Sequence, residues 1–347
     1  MQFQVKNVDA LLASSQCLVI GIFEGQQHTS AAEQLDKAGA KALSHLLHAD
    51  GFKANAGQTL LLHHSVGQKA QRLLLVGLGK ATSKGITEQN FGKAITALAT
   101  TLKTLNSRDA LIDFNGIEVD CRDASWQVQH TVQTLLTELW QFDQLKSKKT
   151  TAPSVKKITL NGNRKNAAQL KKGLALGQAL GDGINYAREL GNLPGNICTP
   201  SYLAKQARGL ARGEKTLSVS VLGEKQMKML GMGSLLSVSA GSAEDAQLIV
   251  MEYKGAAKSR KPTALVGKGI TFDTGGISIK PPPGMDEMKF DMCGAASVFG
   301  TMKTLLALKP AINVVAIVAA AENMPSGTAT KPGDIVTSMS GQTIEVL

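Results

Sequence analysis

Several classes of protein are excluded by what this 347-residue sequence lacks. Its longest uninterrupted apolar run, Val314 to Ala321, is far shorter than the roughly 20 residues that a membrane-spanning helix needs. The first residues have neither the basic start nor the apolar run of a signal peptide. With 43% hydrophobic and 19% charged residues, the chain can bury substantial cores. We therefore expect a folded cytoplasmic protein that does not enter a membrane.

The spacing of the cysteines and histidines does not match the metal-binding and catalytic motifs that these residues commonly form. The four cysteines form no Cys-x-x-Cys pair, so we interpret them as reduced, mostly buried thiols and not as nucleophiles. All six histidines fall in the first half, which excludes a histidine-based zinc site or a Ser-His-Asp triad within the second half alone. The adjacent residues His63 and His64 can supply ligands. Neighbours on a strand point to opposite faces, however, which favours a structural role.

Short apolar segments alternate with amphipathic ones along both halves of the chain. In the first half, Cys17–Glu24 and Arg72–Gly79 predict buried strands. Ser30 and Glu33 form a capping box for a helix whose apolar spacing continues to Leu46. Such alternation predicts an α/β fold with a mainly parallel sheet covered by helices on both faces.

Composition suggests where the domains begin and end. A polar, basic stretch broken by Pro153 predicts a smaller N-terminal α/β domain over residues 1–153. A basic linker and a long connecting helix are expected over residues 154–190. Residues 191–347 then form a second alternating domain, whose first helix is capped by Thr199 with Pro200 at its first position.

Positive charge is concentrated after the first domain. Residues 1–150 carry 15 basic and 13 acidic side chains, whereas residues 151–347 carry 23 and 14. Between Lys146 and Lys172 there are nine basic residues and no acidic one. This stretch can attract the phosphate backbone of DNA. A solvated linker and helix face is the alternative interpretation.

The residues best suited to chemistry lie around one predicted strand in the second half. The strand Ala264–Phe272 carries Lys268 and is followed at its carboxyl end by Asp273, two glycines and then Lys280. Asp291 stands directly before a predicted helix, where capping is its simplest role. Burying these charges is costly unless they pair or bind a metal. From spacing alone, a cluster of salt bridges and a metal site remain alternatives.

Carboxylates suit magnesium and manganese, and zinc accepts them as well. A lysine can join such a site only as the neutral amine, after burial and the cation have lowered its pKa.

Four segments of the second half resemble the leucine aminopeptidase family, and in particular its bacterial aminopeptidase A type. They are Asn192–Pro200, Val266–Ala296, Glu322–Gly327 and Lys331–Asp334. The resemblance covers residues 192–347, and the first half is similar only in architecture. It implies a linking helix followed by a mixed-sheet catalytic domain that removes N-terminal residues from peptides by two-metal hydrolysis.

The resemblance also implies a role for each site residue. Lys268 and Asp291 bind one divalent ion, and Asp273 bridges two. Lys280 is catalytic, polarising the scissile carbonyl group and holding the oxyanion. Met288 lines the pocket for the N-terminal side chain of the substrate, although a core methionine is the alternative. The implied cofactors are two manganese or zinc ions and a bicarbonate that acts as base, and the implied assembly is a homo-hexamer.

One part of the family pattern falls outside the chain. The signature Asn-Thr-Asp-Ala-Glu-Gly-Arg, which supplies further ligands, should follow directly after Leu347, and Glu345 does not replace it. We therefore expect a truncated, incomplete catalytic domain with three ligands for one ion and a single ligand for the other. Little peptidase activity is expected from it. A DNA-binding or regulatory protein and a catalytically dead scaffold are the alternative functions.

Overall fold

A computed structural model describes residues 1–26, 28–63, 67–163 and 165–347. The chain divides into two compact units, Met1–Gly181 and Asp182–Leu347, each with a sheet of its own. Within the described ranges no helix combines the length and the apolar character needed to cross a bilayer. The domain limits expected at residues 153 and 190 stay predictions.

The first unit is built on a six-stranded sheet. The strands that the structure describes there are β1 Gln2–Lys6, β2 Leu18–Ile22, β3 Thr59–Leu62, β4 Leu73–Gly77, β5 Asp109–Asp113 and β6 Lys157–Asn161. Their order is β1-β6-β5-β2-β4-β3. All neighbours pair in parallel except β3, which is antiparallel to β4. The predicted, mainly parallel α/β sheet is therefore confirmed.

Helices cover both faces of this sheet. They are α1 Ser30–Ala38, α2 Ala42–Ala49, α3 Glu88–Thr104, α4 Ala124–Glu138 and α5 Ala167–Asn192, the last of which continues into the second unit. The buried strand β4 shows how the two faces are used. Its side chains alternate, so Leu73 and Leu75 join the core under α1 and α2, while Leu74 and Val76 join the core under α3 and α4.

The helix predicted from Ser30 to Leu46 is in fact two helices. Ala40 and Lys41 have φ angles of 51° and 67°, in the left-handed region, and such residues cannot continue a right-handed helix. The predicted capping box at Ser30 is also wrong by one residue. Thr29 is the N-cap, and its side chain accepts a hydrogen bond from the N–H of Ala32.

The second unit contains a mixed sheet. Its described strands are β7 Leu217–Gly223, β8 Gln247–Lys254, β9 Thr263–Asp273 and β10 Asn313–Asn323, and the short strands β11 Ile335–Thr337 and β12 Thr343–Glu345 form a separate hairpin. The order of the larger sheet is β7-β8-β10-β9. Strand β9 is parallel to β10, and the other pairings are antiparallel. This agrees with the mixed-sheet α/β domain that was expected.

The first helix that begins within the second unit starts where the sequence predicts it. After α5, the helices described in this unit are α6 Pro200–Ala211, α7 Glu224–Met229, α8 Gly233–Ser239 and α9 Cys293–Leu308. Thr199 caps α6 as predicted, because its side chain accepts from the N–H of Tyr202 and Pro200 needs no hydrogen-bond partner at the first helical position. A short 3-10 helix, Met285–Met292, leads directly into α9.

The thiols are less buried than expected. All four cysteines are free, but only Cys17 and Cys198 are buried, while Cys121 and Cys293 are exposed. Burial raises the pKa of Cys17 and of Cys198 to about 12. A thiol with that pKa is protonated at neutral pH, which agrees with the interpretation that these two are not nucleophiles.

Candidate metal centre

Two of the candidate residues, Asp273 and Lys280, meet at the carboxyl end of β9. This strand forms one edge of the mixed sheet and runs parallel to β10, so the two strands end side by side. Asp273 is the last residue of β9 and pairs in register with Asn323, the last residue of β10. Polar side chains at adjacent strand ends are placed to bind a ligand beyond the edge of the sheet.

A bulge changes which side chains of β9 share a face. The stretch from Ile270 to Asp273 opposes the shorter stretch from Ala321 to Asn323, so β9 carries one residue more than its partner. In a regular strand Lys268 and Asp273 point to opposite faces, because their spacing is odd. The extra residue reverses that alternation and brings them onto the same face.

Two glycines after the strand allow a turn that other residues resist. Gly275 and Gly276 have φ angles of 87° and 71°. A Cβ on Gly275 would lie 2.5 Å from the carbonyl oxygen of Ser278, and one on Gly276 would lie 2.9 Å from the side-chain oxygen of Asn323. The turn therefore needs glycine for both its backbone angle and its close packing. It folds the chain back so that Lys280 faces Asp273.

Asp273 accepts more hydrogen bonds than the other carboxylate of the site, Asp291. One oxygen of Asp273, Oδ2, accepts from Nζ of Lys280 at 2.7 Å. The other, Oδ1, accepts from the N–H of Gly275 at 2.9 Å and from the amide of Asn323 at 2.8 Å. Burial acts to raise the pKa of Asp273, but these donors outweigh it and hold the pKa below the ordinary 3.8. Asp273 is therefore ionised at neutral pH.

Lys280 also contacts Met288. Its Nζ atom lies 2.9 Å from Sδ of Met288, which is half-buried and sits on the 3-10 helix. The buried methionine of that helix is Met292, so the alternative of a core residue does not describe Met288. Lining of a substrate pocket by Met288 stays a prediction.

Lys268 and Asp291 form a second ion pair. Nζ of Lys268 lies 2.7 Å from Oδ1 of Asp291, and the side chains are 61% and 21% exposed. Asp291 does not cap α9, because the N-cap is Met292 and no side chain caps this helix. The other oxygen of Asp291, Oδ2, is buried without a hydrogen-bond partner among the described residues. A buried, unpaired carboxylate oxygen is unusual and requires an explanation.

The residues present fit a divalent cation. Asp291 offers the buried oxygen that lacks a donor, and Lys268 offers a nitrogen beside it. Carboxylate oxygens are ligands for manganese, magnesium and zinc, and a lysine amine can join them once deprotonated. Together with Asp273, they make the donor set expected from the sequence. Convergence of all three on one ion stays a prediction.

No larger cluster of conventional ligands competes with this site. Among the described residues, no group of three or more His, Cys, Asp or Glu side chains is arranged to hold a metal. Of the two adjacent histidines for which a structural role was favoured over metal binding, His63 is exposed and His64 lies outside the described residues. The candidate centre thus depends on the lysine as well as the two aspartates.

Asn323 is a site residue that the sequence prediction did not single out. It lies 50 positions beyond Asp273, yet its amide holds the carboxylate and its backbone oxygen accepts from the N–H and the hydroxyl of Thr274. Its position within Glu322–Gly327, one of the four segments that resemble the family, was the available signal. Only the register of β9 against β10 brings it to Asp273.

Comparison with protein families identifies both units. The catalytic-domain model of the cytosol aminopeptidase family matches residues 185–347. The N-terminal-domain model of the same family matches residues 19–149. The cytosol aminopeptidase of Pseudomonas aeruginosa is 47% identical over all 347 residues, which span 70% of that protein. A probable cytosol aminopeptidase of Azotobacter vinelandii is 46% identical over the same span.

Solved structures give a consistent picture. A mutant of tomato leucine aminopeptidase superposes with a TM-score of 0.82 and 28% identity, covering 100% of this chain and 67% of the tomato chain. The bottromycin maturation enzyme BotP in complex with Mn superposes with a TM-score of 0.77 and 27% identity. That match covers 95% of this chain and 65% of BotP.

Proposed function

Because this chain belongs to the cytosol aminopeptidase family, a family of metallo-aminopeptidases, we propose that it is a metal-dependent leucyl aminopeptidase that releases N-terminal amino acids from peptides. The observation that carries the metal dependence is the buried Oδ2 atom of Asp291, which has no donor in the described part of the chain. A divalent ion bound there removes the cost of leaving that atom unpaired.

The ligands proposed for this ion are Lys268, Asp273 and Asp291. In both lysine–aspartate pairs of the site the distance from Nζ to the nearest carboxylate oxygen is 2.7 Å, so each carboxylate has an ammonium group beside it. Loading of the site therefore requires Lys268 to lose its proton and leave its salt bridge. The side chain of Lys268 is 61% exposed, which gives that proton a direct path to water.

Each remaining residue has a task defined by its position. A bound pair of divalent ions, manganese or zinc, supplies Lewis acidity that activates water and stabilises negative charge on the reacting carbonyl group. Lys280, held by Asp273 and Met288, donates a hydrogen bond to the oxyanion that develops on the scissile carbonyl. Asn323 fixes the orientation of Asp273, the carboxylate that we assign to both ions. Bicarbonate is our proposed base.

Residues 1–347 supply more candidate ligands for one ion than for the other. The first has three candidate ligands, whereas Asp273 is the only ligand that we can assign to the second. Stable sites for such ions use three or four protein ligands. We therefore propose that the 347-residue chain takes up one ion weakly and has low peptidase activity by itself.

The test combines metal analysis with a peptidase assay. Purified protein is equilibrated with MnCl₂, its bound manganese is measured by elemental analysis, and hydrolysis of leucyl-p-nitroanilide is followed. One ion per chain and slow hydrolysis are expected. Asp334→Asn, which changes a half-buried aspartate in an ion pair with Lys331, is the control. Absence of bound manganese contradicts the metal site, and the activity of a complete two-metal enzyme contradicts the assignment of the second ion.

DNA binding is a second candidate function, favoured by the exposure of the basic stretch. Lys146, Lys148 and Lys149 are all exposed, and no ion pair is formed by them among the described residues. The Lys148→Glu, Lys149→Glu double variant is expected to weaken binding to any duplex and to flatten its salt dependence. Wild-type protein that does not bind duplex DNA even at low salt would exclude this function.

Location and assembly are proposed from the family resemblance. We assign the enzyme to the cytoplasm and expect a homo-hexamer. Light scattering of the purified chain measures its mass in solution, and a monomer at all concentrations contradicts the hexamer for this chain.

A further inference from the structure

The order of strands in the first unit creates a crevice away from the candidate metal centre. Strand β2 lies between β4 and β5, and β4 precedes β5 in the chain. The chain thus leaves β2 toward one side of the sheet and later returns to its other side. In open parallel sheets, ligands bind beyond the carboxyl ends of the strands at such a switch point.

A polar cavity of about 590 Å³ opens beyond the carboxyl ends of β5 and β6, beside the helix α1 that follows β2. It is bounded by the ends of β1, β5 and β6 and by the start of α1. Side chains that offer hydrogen bonds line it, and they include Asn7, Asp9, Ser30, Gln34, Asp113 and Asn161. The described lining residues include no lysine or arginine. The cavity therefore suits a neutral ligand with several hydroxyl groups better than an anion.

Asp113 is the buried charge of this cavity. It is only 6% exposed, and no described lysine or arginine forms an ion pair with it. Its Oδ1 atom accepts from the N–H and the side-chain amide of Asn115, and its Oδ2 atom accepts from the amide of Asn161. A carboxylate has about four acceptor positions, so one remains. A buried charge held by neutral amides is costly for the fold alone.

A second cavity adjoins the first. Its volume is about 110 Å³, and its lining includes apolar and aromatic side chains from the sheet and from α3 and α5: Phe91, Ile112, Phe114, Leu160 and Leu170. The two cavities share Asn115, Asn161 and Asn163 as lining residues. An engineered apolar cavity of about 150 Å³ holds one benzene molecule, so this smaller cavity has room for no more than a single ring.

We propose that this crevice binds a nucleoside with a single-ring base, the base in the apolar cavity and the ribose in the polar one. Ribose hydroxyls donate to Asp113 and accept from the asparagine amides. The base packs beside Phe114, an aromatic side chain of that cavity that is partly exposed. An amino acid fits less well, because its carboxylate finds no cationic partner among the described lining residues. The site does not depend on the metal centre or on peptidase activity.

Uridine is the probe, and saturation-transfer NMR with the 347-residue chain is the measurement. Binding is expected at about 10 mM uridine, a concentration that populates even millimolar complexes. Ribose alone and uracil alone should bind more weakly. Ala124 lines the apolar cavity, so Ala124→Leu should abolish uridine binding by filling it. Asp113→Asn should weaken binding about ten- to hundredfold, as expected for loss of a hydrogen bond to a charged group.

Two further variants keep the test independent of folding. Gln34→Ala removes an exposed lining residue of α1 and should weaken uridine binding without affecting the melting temperature. Glu33→Ala, its exposed neighbour outside the cavity, is the matched control and should bind like wild type. The proposal is overturned if uridine gives no saturation transfer, or if Ala124→Leu and Gln34→Ala bind uridine as well as Glu33→Ala.

Discussion

Replacing Asp291 by alanine separates the stability of the metal-free protein from its affinity for metal. The variant loses the ion pair with Lys268, whose partly exposed geometry makes it worth about 0–1 kcal/mol. It also removes the buried Oδ2 atom, whose missing hydrogen bond costs about 1–3 kcal/mol. The second effect is larger. The metal-free variant should therefore be as stable as wild type, or more stable by about 1 kcal/mol.

Manganese should reverse that order. An ion at 100 times its dissociation constant stabilises a folded protein by about 2.7 kcal/mol. Wild type should gain stability of this size with MnCl₂. The Asp291→Ala variant should gain little, because it has lost one of the three proposed ligands and the two that remain bind the ion weakly. Urea unfolding with and without MnCl₂, followed by circular dichroism, measures both quantities.

The control for this experiment is Asp334→Ala, which removes a half-buried carboxylate that also pairs with a lysine. It should keep the full response to manganese. The reasoning is refuted if metal-free Asp291→Ala is less stable than wild type by more than about 2 kcal/mol and still responds to manganese as wild type does. That result would make Asp291 a structural ion-pair partner.

Three further outcomes are expected. In a complete form of the enzyme, Lys280→Ala should leave the manganese content unchanged but lower leucyl-p-nitroanilide turnover by roughly 100- to 1,000-fold, and loss of the ion would instead identify Lys280 as a ligand. The lowered pKa of Asp273 means that its contribution to stability is complete above the unfolded pKa near 3.8 and is lost as the pH falls through the lower folded value. As the pH is lowered from 6 to 2.5, the melting temperature of Asp273→Asn should therefore fall less steeply than that of wild type. Parallel curves would contradict the hydrogen-bond assignment. Gly275→Ala should lower the free energy of unfolding more than Gly333→Ala does. Both glycines have a φ of 87°, so about 1–2 kcal/mol of backbone strain applies to both, but Gly333 lies in open space whereas Gly275 packs against Ser278. Equal losses of stability in urea unfolding would mean that the contact with Ser278 is unimportant.

Local features of the fold were predictable because neighbouring residues determine them. Thr199 and Pro200 start α6 as predicted, and β4 occupies Leu73–Gly77 within the apolar run that predicts it. The break between α1 and α2 was missed, because Ala40 and Lys41 have no special preference for left-handed angles. Strand β1 was missed as well: it pairs with β6 more than 150 residues away, and that partner is not visible in the local pattern.

The sequence alone determined the types of residue at the candidate centre, the glycine turn beside them and the family to which they point. These follow from chemistry within a few tens of residues. Only the tertiary structure decided which charges meet: Lys280 pairs with Asp273, and Lys268 pairs with Asp291. It also brought Asn323 to Asp273 and introduced the bulge in β9. These contacts depend on the register between β9 and β10, which is set by packing along both strands and by no single residue.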